Sequence, residues 1–131
     1  MYLLDTNIWL ELLLQQDRAR EVADFFQSVD ASSLAMTDFT LYSIGIILGR
    51  LKKYEAFDDF IADTLEDNSV NRICLKSDGL KQISSIQKQY CLDFDDAYQY
   101  VAATENGMTL VSFDSDFDKT PLGRKVPAEM I

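Results

Sequence analysis

One stretch of the chain, residues 92–117, constrains the fold more than any other. It reads LDFDDAYQYVAATENGMTLVSFDSDF. Its small residues predict a helix that begins near Asp95 and packs closely against a sheet. The β-branched and apolar residues 109–113 predict a buried strand after that helix. Asp114 and Asp116 follow the strand, so we expect a ligand site in the loop at its carboxyl end.

Helical and extended segments alternate along the whole chain. Short apolar strands are predicted at residues 1–4, 34–36, 70–75 and 109–113, with a terminal edge strand at Val126 and Met130-Ile131. Amphipathic or apolar helices are predicted between them, at residues 6–16, 17–29, 39–53, 55–66, 77–90 and from 95 onward. This alternation predicts an α/β fold with a mostly parallel sheet covered on both faces. A length of 131 residues and a hydrophobic fraction of 47% predict one domain, residues 1–131.

The chain contains no histidine and two cysteines. This composition excludes Ser-His and Cys-His nucleophiles, and two thiolates alone cannot complete a tetrahedral zinc site. Cys74 and Cys91 lie among apolar or bulky residues, and we expect both to be buried core residues. Carboxylates therefore remain as the groups that can carry chemistry.

The formal net charge of −10 opposes binding to the phosphates of a nucleic acid. That objection disappears if several acids hold divalent cations, because bound cations reverse the local sign of the charge. The longest apolar runs are too short for a membrane span of about 20 residues. No positively charged region precedes the first apolar run, so we expect no signal peptide and a cytoplasmic protein without a membrane partner.

Four aspartates are each predicted at the end of a strand or in the first turn of a helix: Asp5, Asp96, Asp114 and Asp116. In a doubly wound sheet, the crevice at the carboxyl ends of the strands brings such residues together. Carboxylates held that close raise one another's pKa values unless cations neutralise them. A site with oxygen ligands alone suits Mg²⁺ or Mn²⁺. The simpler alternatives are that Asp5 is only a helix cap and Asp116 only a turn residue.

Three segments resemble the PIN-domain family, in particular the single-domain VapC-type ribonuclease toxins of bacterial toxin–antitoxin pairs. The segments are LLDTNIWL at residues 3–10, DAYQYVAA at residues 96–103 and LVSFDSDF at residues 110–117. They occur in the family's order, and the resemblance covers nearly the whole chain.

The resemblance implies a three-layer α/β/α fold whose five-stranded parallel sheet has the order 3-2-1-4-5. It also implies an Mg²⁺- or Mn²⁺-dependent endoribonuclease that cleaves RNA phosphodiester bonds and has an antitoxin protein as partner. Asp5, Asp96 and Asp114 match the family's acidic metal-binding and catalytic positions, and Asp116 matches a frequent supplement. Metals in such a site activate a water and stabilise the developing charge.

One position departs from the family's pattern. The family's glutamate in the helix after the second strand falls on Ser43, and Asp38 lies five residues earlier, about 140° around the helix. Loss of a metal ligand or of a residue that orients one typically weakens binding or activity by ~10- to 100-fold. The alternative function is therefore a catalytically weakened or inactive PIN-like module that binds RNA or protein.

A phosphoacceptor domain of the receiver or haloacid-dehalogenase kind would share the sheet and the acids. It fits less well, because the Asp-x-Asp sequence here follows a late strand rather than the first one.

Two further features predict contacts with partners. The helix at residues 39–53 is apolar on more than one face, which predicts a homodimer or a groove for a partner's helix, unless residues 55–66 cover it. Lys119, Arg124 and Lys125 follow the acid loop and are predicted to contact substrate phosphates, unless they are only a solvated tail.

Overall fold

The computed structural model describes residues 1–131, in which short strands alternate with helices. The strands are β1 (Tyr2–Leu4), β2 (Leu34–Thr37), β3 (Asn71–Ile73) and β4 (Thr109–Val111). The α-helices are α1 (Thr6–Leu13), α2 (Ala19–Ser28), α3 (Asp38–Arg50), α4 (Tyr54–Ile61), α5 (Ser77–Tyr90) and α6 (Phe94–Glu105). A π-helical segment, Ala62–Asp67, extends α4, and short 3₁₀ helices occupy Ala31–Ser33, Ser115–Lys119 and Pro127–Met130.

The four strands form one parallel sheet in the order β3-β2-β1-β4. Tyr2 of β1 pairs with Leu34 of β2 on one side and with Thr109 of β4 on the other. The strand order therefore reverses at β1, and the crevice between the carboxyl ends of β1 and β4 is a switch point of the kind that binds ligands in open α/β sheets.

The predicted fifth strand is wrong. An isolated parallel bridge between Val111 and Lys125 takes its place, with backbone hydrogen bonds from Lys125 N to Leu110 O (2.8 Å) and from Ser112 N to Lys125 O (3.0 Å). Gly123, with a φ of +66°, and Pro127 bound this extended segment on either side. Proline lacks a backbone N–H and begins a 3₁₀ helix that includes Met130, so the pairing cannot continue.

Two apolar cores lie on opposite faces of the sheet, which confirms the three-layer arrangement. Leu3 and Leu110 belong to the core under α5 and α6, whereas Leu4 and Val111 belong to the core under α1 to α4. Successive residues of a strand point to opposite faces, so each short strand contributes to both cores. Helix α6 carries Ala102 and Ala103 at 0% exposure, as expected for a helix that lies close to the sheet.

The prediction that both cysteines are buried is wrong. Cys74 and Cys91 are exposed. Cys74 lies two residues after the exposed Arg72, on the same side of an edge strand and its extension. Cys91 ends α5 in the left-handed conformation, with a φ of +53°. The amphipathic pattern of residues 77–90 predicts that Leu80 lies inside, but it is 47% exposed on α5.

No helix of the structure is both long enough and apolar enough to span a bilayer.

Candidate functional site

An acid cleft of about 190 Å³ lies at the carboxyl ends of β1 and β4. Its lining residues come from the start of α1, the start of α3, the first turns of α6 and the loop after β4. They include Asp5, Asp95, Asp96 and Asp114. The fold therefore brings three of the four predicted acids to one cleft.

Asp96, Asp114 and Asp116 form the tightest cluster of carboxylates. Each offers one oxygen, and these oxygens all lie within 4.8 Å of one another. Asp96 is buried in the first turn of α6, Asp114 is half-buried and Asp116 is exposed in the loop after β4. Asp114 Oδ1 accepts a hydrogen bond from Asp116 N (2.9 Å), so this loop has a defined conformation. Three carboxylates from two elements provide the all-oxygen donor set that Mg²⁺ and Mn²⁺ prefer.

Asp5 also lines the cleft and is only 6% exposed. Its backbone N donates to Val111 O (2.9 Å), which fixes the end of β1 against β4. Oδ1 of its side chain accepts from Thr6 N (2.8 Å), and Oδ2 accepts from Ser112 Oγ (2.7 Å). A longer contact of 3.5 Å joins Asn7 Nδ2 to Oδ2. Asp5 thus caps α1, as the simpler interpretation predicted, and also faces the acid cluster.

Gln99 is a site residue that the sequence did not reveal. It lies one helical turn after Asp96 and is 1% exposed. Its Nε2 donates to Asp5 Oδ1 (3.2 Å) and to Thr40 Oγ1 (2.5 Å), and its Oε1 accepts from Thr37 Oγ1 (3.1 Å). The available signal was an amide on an otherwise apolar stretch of α6, three residues after an acid.

Burial and like charges raise the pKa of two cleft acids. Burial is the largest cause of the shift that raises the pKa of Asp96 to about 8, followed by a hydrogen bond with Asp114 and by the charges of Asp114, Asp95 and Asp5. Burial also raises the pKa of Asp5, although hydrogen bonds from Ser112, Thr6 and Gln99 partly oppose it. Without a cation, Asp96 therefore holds a proton at neutral pH.

The residue at the position of the family's glutamate, Ser43, carries no carboxylate. Ser43 is half-buried on α3 and is not among the residues that line the cleft. Asp38, the nearest acid on the same helix, forms a salt bridge with Arg72 and does not line the cleft either. This agrees with the expectation that Asp38 cannot replace the glutamate.

The predicted phosphate-binding cations have partners within the chain. Arg124 forms a salt bridge with Asp118 (3.0 Å) and also donates to Ser112 O (3.2 Å). Lys119 Nζ donates to Cys91 O (2.9 Å), and Lys125 Nζ lies 3.9 Å from a carboxylate oxygen of Glu129. None of the three lines the acid cleft.

A larger, mostly apolar cavity of about 490 Å³ lies between α1, α2 and α4 with its π-helical extension. It shares no lining residue with the acid cleft. Trp9 and Phe60 form part of its wall, and the indole Nε1 of Trp9 is buried without a hydrogen-bond partner. The acid cleft is smaller but is the better candidate for the reaction site, because the interacting carboxylates with raised pKa values lie there.

The sequence model of the PIN domain matches residues 2–122. The chain belongs to the PIN-domain family. The match includes all four predicted acids and Ser43, and it favours a PIN domain over a phosphoacceptor domain. No curated protein matches this PIN domain by sequence.

Solved structures with the same fold include toxins of toxin–antitoxin systems. A toxin–antitoxin complex from Klebsiella pneumoniae is similar with a TM-score of 0.78 at 19% identity, over 97% of this PIN domain and 98% of the other chain. The sarcin–ricin loop cleaving toxin VapC20 of Mycobacterium tuberculosis has a TM-score of 0.77 at 19% identity, over 90% and 93% of the two chains. FitAcB from Neisseria gonorrhoeae has a TM-score of 0.74 at 19% identity, over 97% and 98%. At these identities the likeness shows the shared fold.

Proposed function

We propose that this PIN domain is a metal-dependent endoribonuclease and the toxin of a toxin–antitoxin pair. The observation that carries the proposal is the convergence of Asp96, Asp114 and Asp116 within 4.8 Å, at a cleft that Asp5, Asp96 and Asp114 line. Membership of the PIN-domain family supports nuclease chemistry at this cleft. The similar VapC20 structure is that of a sarcin–ricin loop cleaving toxin, and this likeness supports our choice of RNA as the substrate.

The chain's own residues would divide the work in the cleft. Asp96, Asp114 and Asp116 would hold Mg²⁺ or Mn²⁺, and Asp5 would add a fourth carboxylate from the same cleft. When bound, such a cation supplies Lewis-acid stabilisation for attack of water on a phosphodiester. Because Asp96 holds a proton in the cation-free site, cation binding and proton release are coupled at neutral pH.

The phosphates of the RNA would be attracted to a cation bound in the acid cleft rather than to the protein surface. The net charge is −10, and Lys119, Arg124 and Lys125 already have partners within the chain. Phosphate contacts by these residues would require them to exchange those partners. We therefore expect RNA affinity to depend more strongly on the divalent cation than is usual for a basic RNA-binding surface.

An antitoxin partner fits two surface features. The first is the strongly acidic surface, which favours a partner with a basic binding segment. The second is the apolar cavity at Trp9, whose buried indole N–H lacks an acceptor. An apolar side chain from a partner segment would fill this cavity.

A homodimer is also part of the proposal. Tyr42 and Ile46 of α3 are 56% and 54% exposed, although α4 packs against the same helix. This leaves one apolar face of α3 uncovered by its own chain. A second copy of the domain is the partner that the uncovered face would take.

A catalytically weakened binding module is the second candidate. Its specific support is Ser43, which provides no carboxylate at the position where the family's glutamate is expected. In that case the domain would keep the acid cleft and its cation affinity in reduced form. Recognition of RNA or protein would then be the remaining function.

Cleavage of total cellular RNA with Mn²⁺ present, followed by mapping of the cut sites, tests the proposal. Asp96→Asn should abolish cleavage while preserving the fold. Asp30→Asn is the matched control, because Asp30 is an exposed aspartate before β2, at the amino end of the sheet. Loss of cleavage in Asp96→Asn alone would support the nuclease. Equal cleavage by the parent and Asp96→Asn would refute it, and Mn²⁺ binding without any cleavage would favour the binding module.

A further inference from the structure

Gln99 is the only buried side-chain amide of the chain, and it contacts the acid cleft. We propose that Gln99 is a positioning residue of the nuclease site, whose amide orients Asp5 so that one of its oxygens remains available to a cation. This inference rests on the proposed function. It concerns a residue that acts through Asp5 and not one that touches the substrate.

The direction of each hydrogen bond around Gln99 follows from its neighbours. Thr37 Oγ1 already accepts from Thr40 N (3.0 Å), so its own hydrogen is free to donate to Gln99 Oε1. That contact turns the other end of the planar amide, Nε2, toward Asp5 and Thr40. The two hydrogens of Nε2 match these two acceptors, so the amide has one orientation with every group used.

The same contacts give the two oxygens of Asp5 different roles. Oδ1 accepts from Thr6 N and from Gln99 Nε2, which uses both of its lone pairs. Oδ2 accepts one short hydrogen bond from Ser112, and its second contact, to Asn7, is 3.5 Å long. Oδ2 is therefore the oxygen with capacity for a cation. Without the hydrogen bond from Gln99, the Asp5 carboxylate would be free to rotate, and its two oxygens would no longer have different roles.

Gln99 also connects helix α3 to the acid site. Thr40 Oγ1 accepts from Gln99 and lies 2.9 Å from Thr6 Oγ1, so its own hydrogen can continue the chain of hydrogen bonds to α1. Helix α3 is the element from which the family's glutamate is expected, and Ser43 provides no acid there. In this chain, a neutral amide–hydroxyl link joins α3 to Asp5 in place of a carboxylate.

A purely structural role for Gln99 makes a different prediction. A buried amide whose hydrogen bonds are satisfied contributes modestly to stability, and its removal leaves buried polar partners unpaired. Such a change lowers stability whichever ligand is present. A positioning role also changes cation affinity, because partners that orient a ligand typically alter metal binding or activity by ~10- to 100-fold.

The test is Mn²⁺ binding by calorimetry to the intact protein and to Gln99→Met, which keeps a similar side-chain length and removes the amide. Tyr98→Phe is the matched control. It removes one buried hydrogen bond from the same helix, between Tyr98 Oη and Leu75 N (3.0 Å), and makes no contact with Asp5. We expect the Kd for Mn²⁺ to rise ~10- to 100-fold in Gln99→Met and to stay unchanged in Tyr98→Phe. In cleavage assays at saturating Mn²⁺, kcat should fall while KM for RNA changes little.

The outcomes separate this inference from the proposed function. If the parent binds Mn²⁺ and Gln99→Met binds it equally well, Gln99 is only structural and the inference is wrong. If the parent neither binds Mn²⁺ nor cleaves RNA, the nuclease proposal fails and the inference fails with it. Should Gln99→Met not fold, Thr40→Val removes the second acceptor of the amide. That variant should weaken Mn²⁺ binding in the same direction, and an unchanged Kd would overturn the inference.

Discussion

Raising the pH should destabilise the cation-free protein, because of the proton that Asp96 holds. Burial and the Asp114 carboxylate raise the pKa of Asp96 from 3.8 to about 8 in the folded state. A group whose folded pKa is raised contributes stability that is complete below the unfolded pKa and is lost as the pH rises through the folded pKa. The affected window runs from about pH 4 to about pH 8.

The chain is suited to this measurement because it contains no histidine. Histidine is the only side chain whose ordinary pKa lies between about pH 5 and 8, so the cleft acids should dominate the pH dependence there. One additional proton on the folded state changes the free energy of unfolding by about 1.4 kcal/mol per pH unit. From about pH 6 to about pH 7.5 the proton on Asp96 alone should therefore lower the free energy of unfolding by at most about 2 kcal/mol.

Urea unfolding in EDTA at a series of pH values measures this fall directly, and thermal unfolding should show the midpoint decreasing by several degrees. Asp96→Asn is the decisive variant, since its amide is uncharged and can still donate to Asp114. This variant should lose most of the dependence of the free energy of unfolding on pH, and it should be more stable than the parent near pH 7.5. Saturating Mg²⁺ should also remove the slope in the parent, because the cation takes the place of the proton.

Two results would refute this account of the cleft. A free energy of unfolding that is constant or increases between pH 6 and pH 7.5 would show that Asp96 does not hold a proton in the folded state. A slope that persists in Asp96→Asn would assign the proton to another group. Asp5, whose pKa is also raised by burial, would then be the next candidate.

Two further predictions concern α3. Ser43→Glu should tighten Mn²⁺ binding in calorimetry by restoring the family's carboxylate, and unchanged affinity and cleavage would show that position 43 does not reach the site. Ile46→Glu should convert a homodimer into a monomer in sedimentation, because it places a charge on an exposed apolar face, and a parent protein that is monomeric at high concentration would contradict the dimer.

The parts of the site that the sequence revealed depend on local signals. Threonine is a residue type that favours helix N-caps, and the side chain of Thr37, just before α3, accepts from Thr40 N in the structure. Asp96 was predicted in the first turn of a helix, and Asp5 and Asp114 at the ends of strands, from residue types within a few positions of each acid. The parallel sheet then brings strand ends together without any further information from the side chains.

The parts that the sequence did not reveal depend on distant partners. The contacts of Gln99 join it to residues 94, 62 and 59 positions away, and Ser112 reaches Asp5 across 107 positions. Helical periodicity places Gln99 in the core but gives no reason for an amide there. The prediction of a fifth strand is wrong for a local reason, because Pro127 lies too close to the bridge at Lys125 for a longer strand to form.

Asp5 and Asp96 are both buried but have different neighbours, and this difference indicates where a cation is needed. Asp5 is buried, and hydrogen bonds from Thr6, Gln99 and Ser112 only partly oppose the burial that raises its pKa. Asp96, equally buried, gains a carboxyl neighbour instead of a donor and keeps a proton. A divalent cation can therefore displace a proton at Asp96. The strength of cation binding should be set there, while Asp5, held by Gln99, determines the orientation of the fourth carboxylate toward it.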